Sequence, residues 1–431
     1  MGALSFRNQA GFQETVRALS DRLVQAQRAL RLLEAIRWDV EVERDFLRHS
    51  GRELPAVSPD YYRSRPLPFD PDAKRQELLD LERDVRRRLG EADPPGQILL
   101  RMSEEYRRIV WMLERRGTPD FAKMSAELYG SALDSCRPGG PPLAVLGRSL
   151  SVHLDEAAGK KDSQAGERTY DARQAGEFLA RRLTAYFRPS ARFRIRVAEG
   201  IPANAAAGCG YIKLRGDARF TLSDIRLLEV HEGWVHLGTT VNGLSQPICT
   251  FLGKGSPSST ITQEGLAVLT EVLSSPAYPR RLRQLCRRLE AVARTEDGAD
   301  FRDIYRFFVG HGEEPRDAYQ HTVRVLRGSL PAGCGPFTKD ICYTKGFVLL
   351  VDYLWGDSWR RSRDETFALF CGKIALDDMP GIVQLIAEGL VAPPRFLPPL
   401  FASASTLGAR FRRVKSLVDR AEGPGSVSLA S

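Results

Sequence analysis

Two histidines five residues apart set the first constraint on this chain. In the run His231-Glu232-Gly233-Trp234-Val235-His236 a glutamate follows the first of them, and the sequence has only 6 His in all. The grouping is close to the H-E-x-x-H signature, in which two imidazoles on one helix face hold zinc and the Glu is general base. Here one extra residue separates the pair. On a regular α-helix, side chains at i and i+4 share a face, whereas i+5 is turned away by roughly 140°. Both imidazoles reach one ion only if the helix absorbs the surplus residue, most simply as a π-bulge, a feature common at functional sites. Gly233, in the gap, permits that distortion. A catalytic zinc site uses three protein ligands. Glu264, which follows His236 by 28 residues and opens an apolar helical run, is the best third candidate. Glu271, two turns further on, either orients a ligand or is solvated.

The rest of the composition narrows the class. At 431 residues, 42% hydrophobic and 27% charged, the chain is long and apolar enough for a sizeable soluble core. A net charge of +9 favours acidic partners. No basic run is interleaved with aromatic residues, so a nucleic-acid platform is not expected. The 7 Cys are scattered without a C-x-x-C pair, which argues against a disulfide framework and for a reducing compartment. Cys209, Cys249, Cys334 and Cys342 read as small buried or half-buried residues. The N-terminus carries no signal-peptide pattern, and no apolar run approaches the ~20 residues of a membrane span. These features point to a cytoplasmic protein.

Along the chain, apolar residues recur at helical spacing from Phe12 to His49, predicting one or two long helices. A proline-rich connection, 50–71, precedes helices over 73–91, 98–116 and 121–133. The polar stretch Gly159–Arg168 predicts a mobile loop, and Tyr170–Phe187 a helix. Period-two alternation then marks two strands, 192–197 and 211–215, joined by a small-residue turn over Ala203–Gly210. By analogy with zinc peptidases, Cys209–Leu214 is placed as the strand able to pair with an extended substrate, a plain structural hairpin being the alternative. The histidine helix starts at Thr221 or Ser223 and stops near Asn242-Gly243. The loop from Leu244 to Ile261 is expected to act as a lid, and Pro279–Ala293 as a basic surface helix. Further helices follow to Leu390, and the tail from Gly423 is expected to be disordered. The expected fold is α+β and mostly helical, with a small β-sheet beside the histidine helix. Its expected parts are a helical region over 1–137, a catalytic region over 138–400, and a C-terminal helix and tail over 401–431.

With those motifs in place the chain resembles the tyrosine carboxypeptidase family. The resemblance rests on His-Glu-x-x-x-His, the nearby Asn242-Gly243 and the run Gln263-Glu264-Gly265-Leu266-Ala267. It extends to Arg116-Gly117-Thr118, Leu128-Tyr129-Gly130, Arg324-Val325-Leu326-Arg327-Gly328 and Phe337-Thr338-Lys339-Asp340 with Tyr343. Animal members are microtubule-associated enzymes that remove the C-terminal tyrosine of tubulin. Bacterial members carry the label flavohemoglobin expression-modulating QEGLA motif protein. Gly233-Trp234-Val235 departs from the pattern, placing bulky Trp234 where the family has a small residue. The resemblance implies a metallopeptidase with one Zn²⁺ on His231, His236 and Glu264, and Glu232 as general base. Its substrate would be a peptide or protein C-terminus ending in an aromatic residue such as tyrosine. Such an enzyme needs a cation for the terminal carboxylate, for which Arg327, Lys339 and Arg324 are candidates. For Lys339 the alternative is that the adjacent Asp340 simply neutralises it. Tyr343 or His321 would steady the developing oxyanion. Two alternatives stay open: a zinc-dependent amidase or esterase acting on a small molecule, and a regulatory protein with a vestigial metal site.

Overall fold

The histidine run lies in the middle of one continuous helical rod. The computed structural model describes residues 9–158, 169–187, 192–275, 278–355, 363–402 and 404–423. In it, α-helix Leu222–Leu228 runs into a π-helix, Glu229–Leu237, and then into α-helix Gly238–Leu244. The rod begins at a capping box. The Thr221 hydroxyl accepts from the Asp224 N–H, and the Asp224 carboxylate accepts from the Thr221 N–H. The surplus residue is therefore absorbed over nine residues of π geometry, more than the single bulge expected at Gly233. Gly233 serves close packing as well. A Cβ there would lie 2.4 Å from Leu183 Cδ2, so helix Ala172–Phe187 rests directly on the rod's backbone.

The rod divides two apolar cores. Val235 belongs to the larger, which extends from Val16 to Ala421 and unites most of the helices. Ile225 and Leu237 belong to the smaller, with Leu179, Leu183 and Phe187 of helix Ala172–Phe187 and Ile212 and Leu214 of the sheet. Trp234 packs at the edge of this smaller core, 6.2 Å from Tyr186 between ring centroids.

The fold is α+β and predominantly helical, with one three-stranded sheet among the described residues. Its strands are β1 (Arg194–Ala198), β2 (Ala205–Gly208) and β3 (Tyr211–Arg215). The spatial order is β1-β3-β2, with β1 parallel and β2 antiparallel to β3. Two expectations change here. The small-residue stretch is not a plain turn, because Ala205–Gly208 is itself a strand. Its alanines lack the apolar–polar alternation that marks strands in a sequence. The stretch 209–214 cannot offer a free edge, because β3 is paired on both sides. The edge beside the rod is β2.

Glu264 lies on helix Pro257–Ser274, which starts at Ser256 with Pro257 in the first turn, seven residues ahead of Glu264. Glu264 is thus mid-helix, and a role complementing the helix dipole at its start is excluded. Every residue from Thr262 to Leu273 is buried, as expected of a helix enclosed on all sides. The expected lid over Leu244–Ile261 is instead a core segment. Its 3₁₀ turn, Thr250–Gly253, buries Phe251 and Leu252, and Thr250 Oγ1 donates to Asp21 on helix Gln9–Ala26.

Other boundaries move as well. The N-terminal periodicity resolves into helices Gln9–Ala26, Leu32–Ala35 and Val40–Arg48, interrupted where Leu30 and Arg31 leave helical dihedrals. Helix Pro59–Arg63 stands within the proline-rich connection. Helix Tyr278–Glu296 is not a surface helix, since it buries Leu282, Leu285, Leu289 and Arg288. All seven cysteines are free, and Cys209 is exposed rather than buried. No described helix is long and apolar enough to cross a membrane. The expected loop Gly159–Arg168 lies outside the described residues, as does the tail after Gly423.

Helix Pro257–Ser274 meets helix Ile341–Trp355 backbone to backbone. A Cβ on Gly265 would lie 2.1 Å from the Gly346 carbonyl carbon, and one on Gly346 2.0 Å from the Ile261 oxygen. This contact gives the glycine after Glu264 its physical reason. Gly265→Ala is therefore expected to cost ~3 kcal/mol or more, read as a lower urea midpoint at unchanged slope. An unchanged midpoint would mean that the two helices do not touch so closely.

Candidate metal centre

The π geometry turns both imidazoles toward one carboxylate. Residues five apart are linked by the i→i+5 pattern of a π-helix, so His231 and His236 come onto a shared side of the rod. Their ring centroids are 4.6 Å apart and nearly perpendicular. Glu264 Oε2 lies 3.4 Å from His231 Nε2 and 3.4 Å from His236 Nε2. One ligand atom from each of the three falls within 4.8 Å of the other two, and His231 and Glu264 are buried. Glu264 Oε2 has no hydrogen-bond partner, although its sister oxygen Oε1 accepts from Lys339 Nζ at 3.0 Å. A buried, partnerless carboxylate oxygen is costly unless something cationic completes it. Two imidazole nitrogens and a carboxylate oxygen form a donor set suited to a divalent metal.

A second layer of charge holds these groups in place. Glu271 is buried, not solvated; its Oε1 accepts from His231 Nδ1 at 2.7 Å and its Oε2 from Arg281 Nε at 3.2 Å. The bond to an ionised carboxylate makes Nδ1 the protonated nitrogen and aims Nε2 at Glu264. Burial alone would lower the His231 pKa, but Glu271, Glu264 and Glu232 together raise it well above the usual range. For His236, burial prevails over Glu264 and the pKa falls. Burial pushes the Glu264 carboxyl up, yet Lys339 and the two imidazoles hold it well below the ordinary carboxylate range. Lys339 is raised by Glu264 in return, in spite of its burial.

Glu232 stands beside this cluster. Its Oε2 accepts from the Ala207 N–H of β2 at 2.6 Å, and its Oε1 lies 4.0 Å from His231 Nε2. The edge strand thus fixes the carboxylate next to the ligand atoms. Lys373 had no signal in the sequence, yet its Nζ donates to the His236 carbonyl (3.0 Å), Thr239 Oγ1 (3.0 Å) and Gln263 Oε1 (3.1 Å). It ties the π-helix to the Glu264 helix and explains the glutamine before Glu264. Burial pushes its pKa down to about 8, against the opposing pull of Glu264 and Glu232.

The other candidate residues gather around Tyr343. Its ring stacks 6.2 Å from His231, and Arg324, Lys339 and Arg288 all lie within 6.0 Å of its centroid. Arg324 is held by Asp340 through two bonds of 2.8 and 2.5 Å, and its Nη2 donates to Tyr343 Oη at 3.3 Å. Asp340, expected to neutralise Lys339, therefore neutralises Arg324, and Lys339 pairs with Glu264. Arg327 is buried without a carboxylate partner among the described residues, its Nε unbonded and its guanidinium 5.6 Å from the Phe337 ring. Burial and the neighbouring Arg324 push its pKa down to about 10. His321 has Nδ1 2.8 Å from Glu313 and Nε2 3.3 Å from Arg288, so both ring nitrogens face partners of their own. Arg281 and Arg288, seven residues apart on one helix face, were not anticipated. Nothing in the sequence separates them from the four other arginines of helix Tyr278–Glu296.

Three convergent donor atoms with a carboxylate beside them define this as a candidate metal centre in a largely helical protein. The chain belongs to the microtubule-associated tyrosine carboxypeptidase family, whose model matches residues 44–418. Membership implies a carboxypeptidase acting on a peptide or protein. No individually curated protein matches the chain.

Metal uptake is expected to displace the proton that Glu264 and Glu271 stabilise on His231. Calorimetry at pH 7 in buffers of differing ionisation enthalpy should show about one proton released for about one divalent ion bound. Uptake should weaken as pH falls and vanish in His231→Ala, His236→Ala and Glu264→Ala. Absence of any metal uptake on titration would refute the centre.

Proposed function

We propose that this protein is a zinc-dependent carboxypeptidase that removes a C-terminal residue, aromatic in the manner of tyrosine, from a peptide or protein. The observation that carries the reading is Glu264 Oε2, 3.4 Å from both imidazole Nε2 atoms and otherwise without a partner. His231, His236 and Glu264 would hold the ion, and the donor types fit zinc. Zinc bound there supplies Lewis acidity toward the scissile carbonyl and lowers the pKa of a water to about 7.

The remaining roles fall to the chain's own residues. Glu232 takes the proton of the attacking water with Oε1, the oxygen not engaged by Ala207, and delivers it to the leaving amine. Glu271 orients His231, with Arg281 balancing the charge of Glu271. Tyr343, whose ring lies between His231 and the arginines, would donate its hydroxyl to the oxyanion. Its competitor His321 has Nδ1 beside Glu313 and Nε2 against Arg288, and would instead orient Arg288.

Charge pairing selects the anchor for the terminal carboxylate. Lys339 already serves Glu264, and Arg324 already serves Asp340. Arg327 is a buried cation with no carboxylate at ion-pair distance among the described residues, with Asp340 acting on it only from further away, and Arg288 adds a second guanidinium near the same Tyr343 ring. A carboxylate entering a partly dry cleft must itself be paired, or its desolvation costs several kcal/mol. The two requirements match. Arg327 is the proposed anchor, supported by Arg288, while Lys339 tunes the ligand Glu264.

Glu232→Gln preserves an acceptor for the Ala207 N–H, so the fold and metal content should persist while kcat falls about 10²–10⁴-fold. Turnover at the wild-type rate would exclude Glu232 as the base. For the anchor, hydrolysis of a peptide with a free C-terminus is compared with that of its C-terminal amide. Wild type should strongly prefer the acid, and Arg327→Ala should lose about 30-fold or more of that preference, equivalent to ~2 kcal/mol. Lys339→Ala should weaken metal affinity and leave the preference largely in place. Equal rates on acid and amide in wild type would indicate an endopeptidase or amidase.

A further inference from the structure

A separate cleft of about 600 Å³ opens between the end of helix Gln9–Ala26, the segment 65–69 and the start of helix Pro71–Arg88. It shares no residue with the metal centre. Six cations line it: Arg28, Arg31, Arg37, Arg65, Lys74 and Arg116. Only two carboxylates, Glu34 and Glu77, face them there, and these pair with Arg31 and Lys74. Of the four cations left, Arg116 is structural. It donates to the carbonyls of Leu113 (2.8 Å), Ala35 (2.8 Å) and Arg65 (3.1 Å), which closes the floor of the cleft.

Arg28 and Arg37 have no carboxylate within ion-pair distance among the described residues. Arg65 pairs with Asp39 outside the cleft lining and lies 3.7 Å over the Tyr61 ring. Its Nη1 is nonetheless buried with no hydrogen-bond partner. These guanidinium groups also crowd one another. Burial and Arg37 lower the pKa of Arg65, and burial and Arg65 lower that of Arg116. Like charges held together around a concavity are stabilised by an anion of more than one charge. A carboxylate brings one negative charge. A phosphate monoester brings about −1.5 to −2 and three acceptor oxygens, matched to the forked donors of arginine. Leu67, Pro68 and Phe69 give the lining an apolar part. The volume falls in the range of small-molecule sites, roughly 300–1,000 Å³.

We propose that this cleft binds a small organic phosphate, with Arg37 and Arg65 taking the phosphoryl oxygens and the Leu67–Phe69 wall taking the organic body. The site stands independently of the carboxypeptidase reading, since neither its residues nor its chemistry depend on the metal.

The test is calorimetric titration of the full-length protein with AMP, inorganic phosphate, adenosine and tetraglutamate. AMP is expected to bind, inorganic phosphate more weakly, and adenosine not at all. Affinity for AMP should drop with salt and fall roughly tenfold or more in Arg37→Ala and again in Arg65→Ala. Arg37 is exposed and forms no ion pair in the described structure, so its variant remains informative if Arg65→Ala destabilises the fold. The proposal is overturned if AMP produces no more heat than adenosine at millimolar concentration, or if Arg37→Ala leaves its affinity unchanged. It is equally overturned if tetraglutamate displaces AMP with equal or better affinity, which would make the cleft a surface for acidic peptide.

Discussion

The arrangement of this protein depends on keeping one carboxylate charged inside a helix that has no solvent face. Glu264 lies mid-way along Pro257–Ser274, in a stretch whose neighbours are all buried. An isolated carboxylate in such a place would take up a proton to escape the desolvation penalty. Lys339 at 3.0 Å and the two imidazoles at 3.4 Å hold it ionised instead. Those partners come from two other parts of the chain, the π-helix and the turn before Ile341, and through His231 and Glu271 of the same helix the network reaches Arg281. The helices around Glu264 are therefore bound by charge as well as by apolar contact. Gly265 and Gly346 set how near they approach.

The π-helix acts as the hinge of the architecture as well as the bearer of the histidines. Its residues Val235 and Leu237 enter different apolar cores, which a regular helix could also arrange, but not while turning residues five apart to one side. π geometry weakens the rod's own backbone bonding, and the surrounding structure compensates. Lys373 and the Thr240 hydroxyl both donate to the His236 carbonyl, and β2 presses its Ala207 N–H against Glu232. The helix, the Glu264 segment and the sheet edge are thus mutually required.

Around Tyr343 the positive charges exceed what the described carboxylates neutralise. Adjacent residues can have uses that only contact reveals: Lys339 and Asp340 are neighbours in sequence yet serve different partners, one the ligand carboxylate and the other Arg324. This separation leaves Arg327, like Arg288, a buried cation with no carboxylate at ion-pair distance among the described residues. Its Gly328 neighbour takes a positive φ of 86° with the Phe121 ring where a Cβ would stand, which fixes the direction of the chain beyond Arg327.

Much of this was legible in the residues themselves. The spacing of His231 and His236 required a non-α turn, because helical geometry leaves no other way for both to reach one ion. The Thr221–Asp224 cap, the amphipathic helices after residue 71 and the alternating strands β1 and β3 follow from local chemistry that needs no distant partner. Where the signal lay in partnership, the sequence was silent. The alanines of Ala205–Gly208 become a strand only because β3 offers them an edge. Segment 244–261 reads as a polar loop, yet it is core because helix Gln9–Ala26 closes over it. Arg281, Arg288 and Lys373 cannot be told from any other basic side chain until folding removes their solvent and assigns their anions. Residue type and local period determined which groups this chain could use; the tertiary structure decided which charge faces which, because pairing energies act through space between segments that are far apart in sequence.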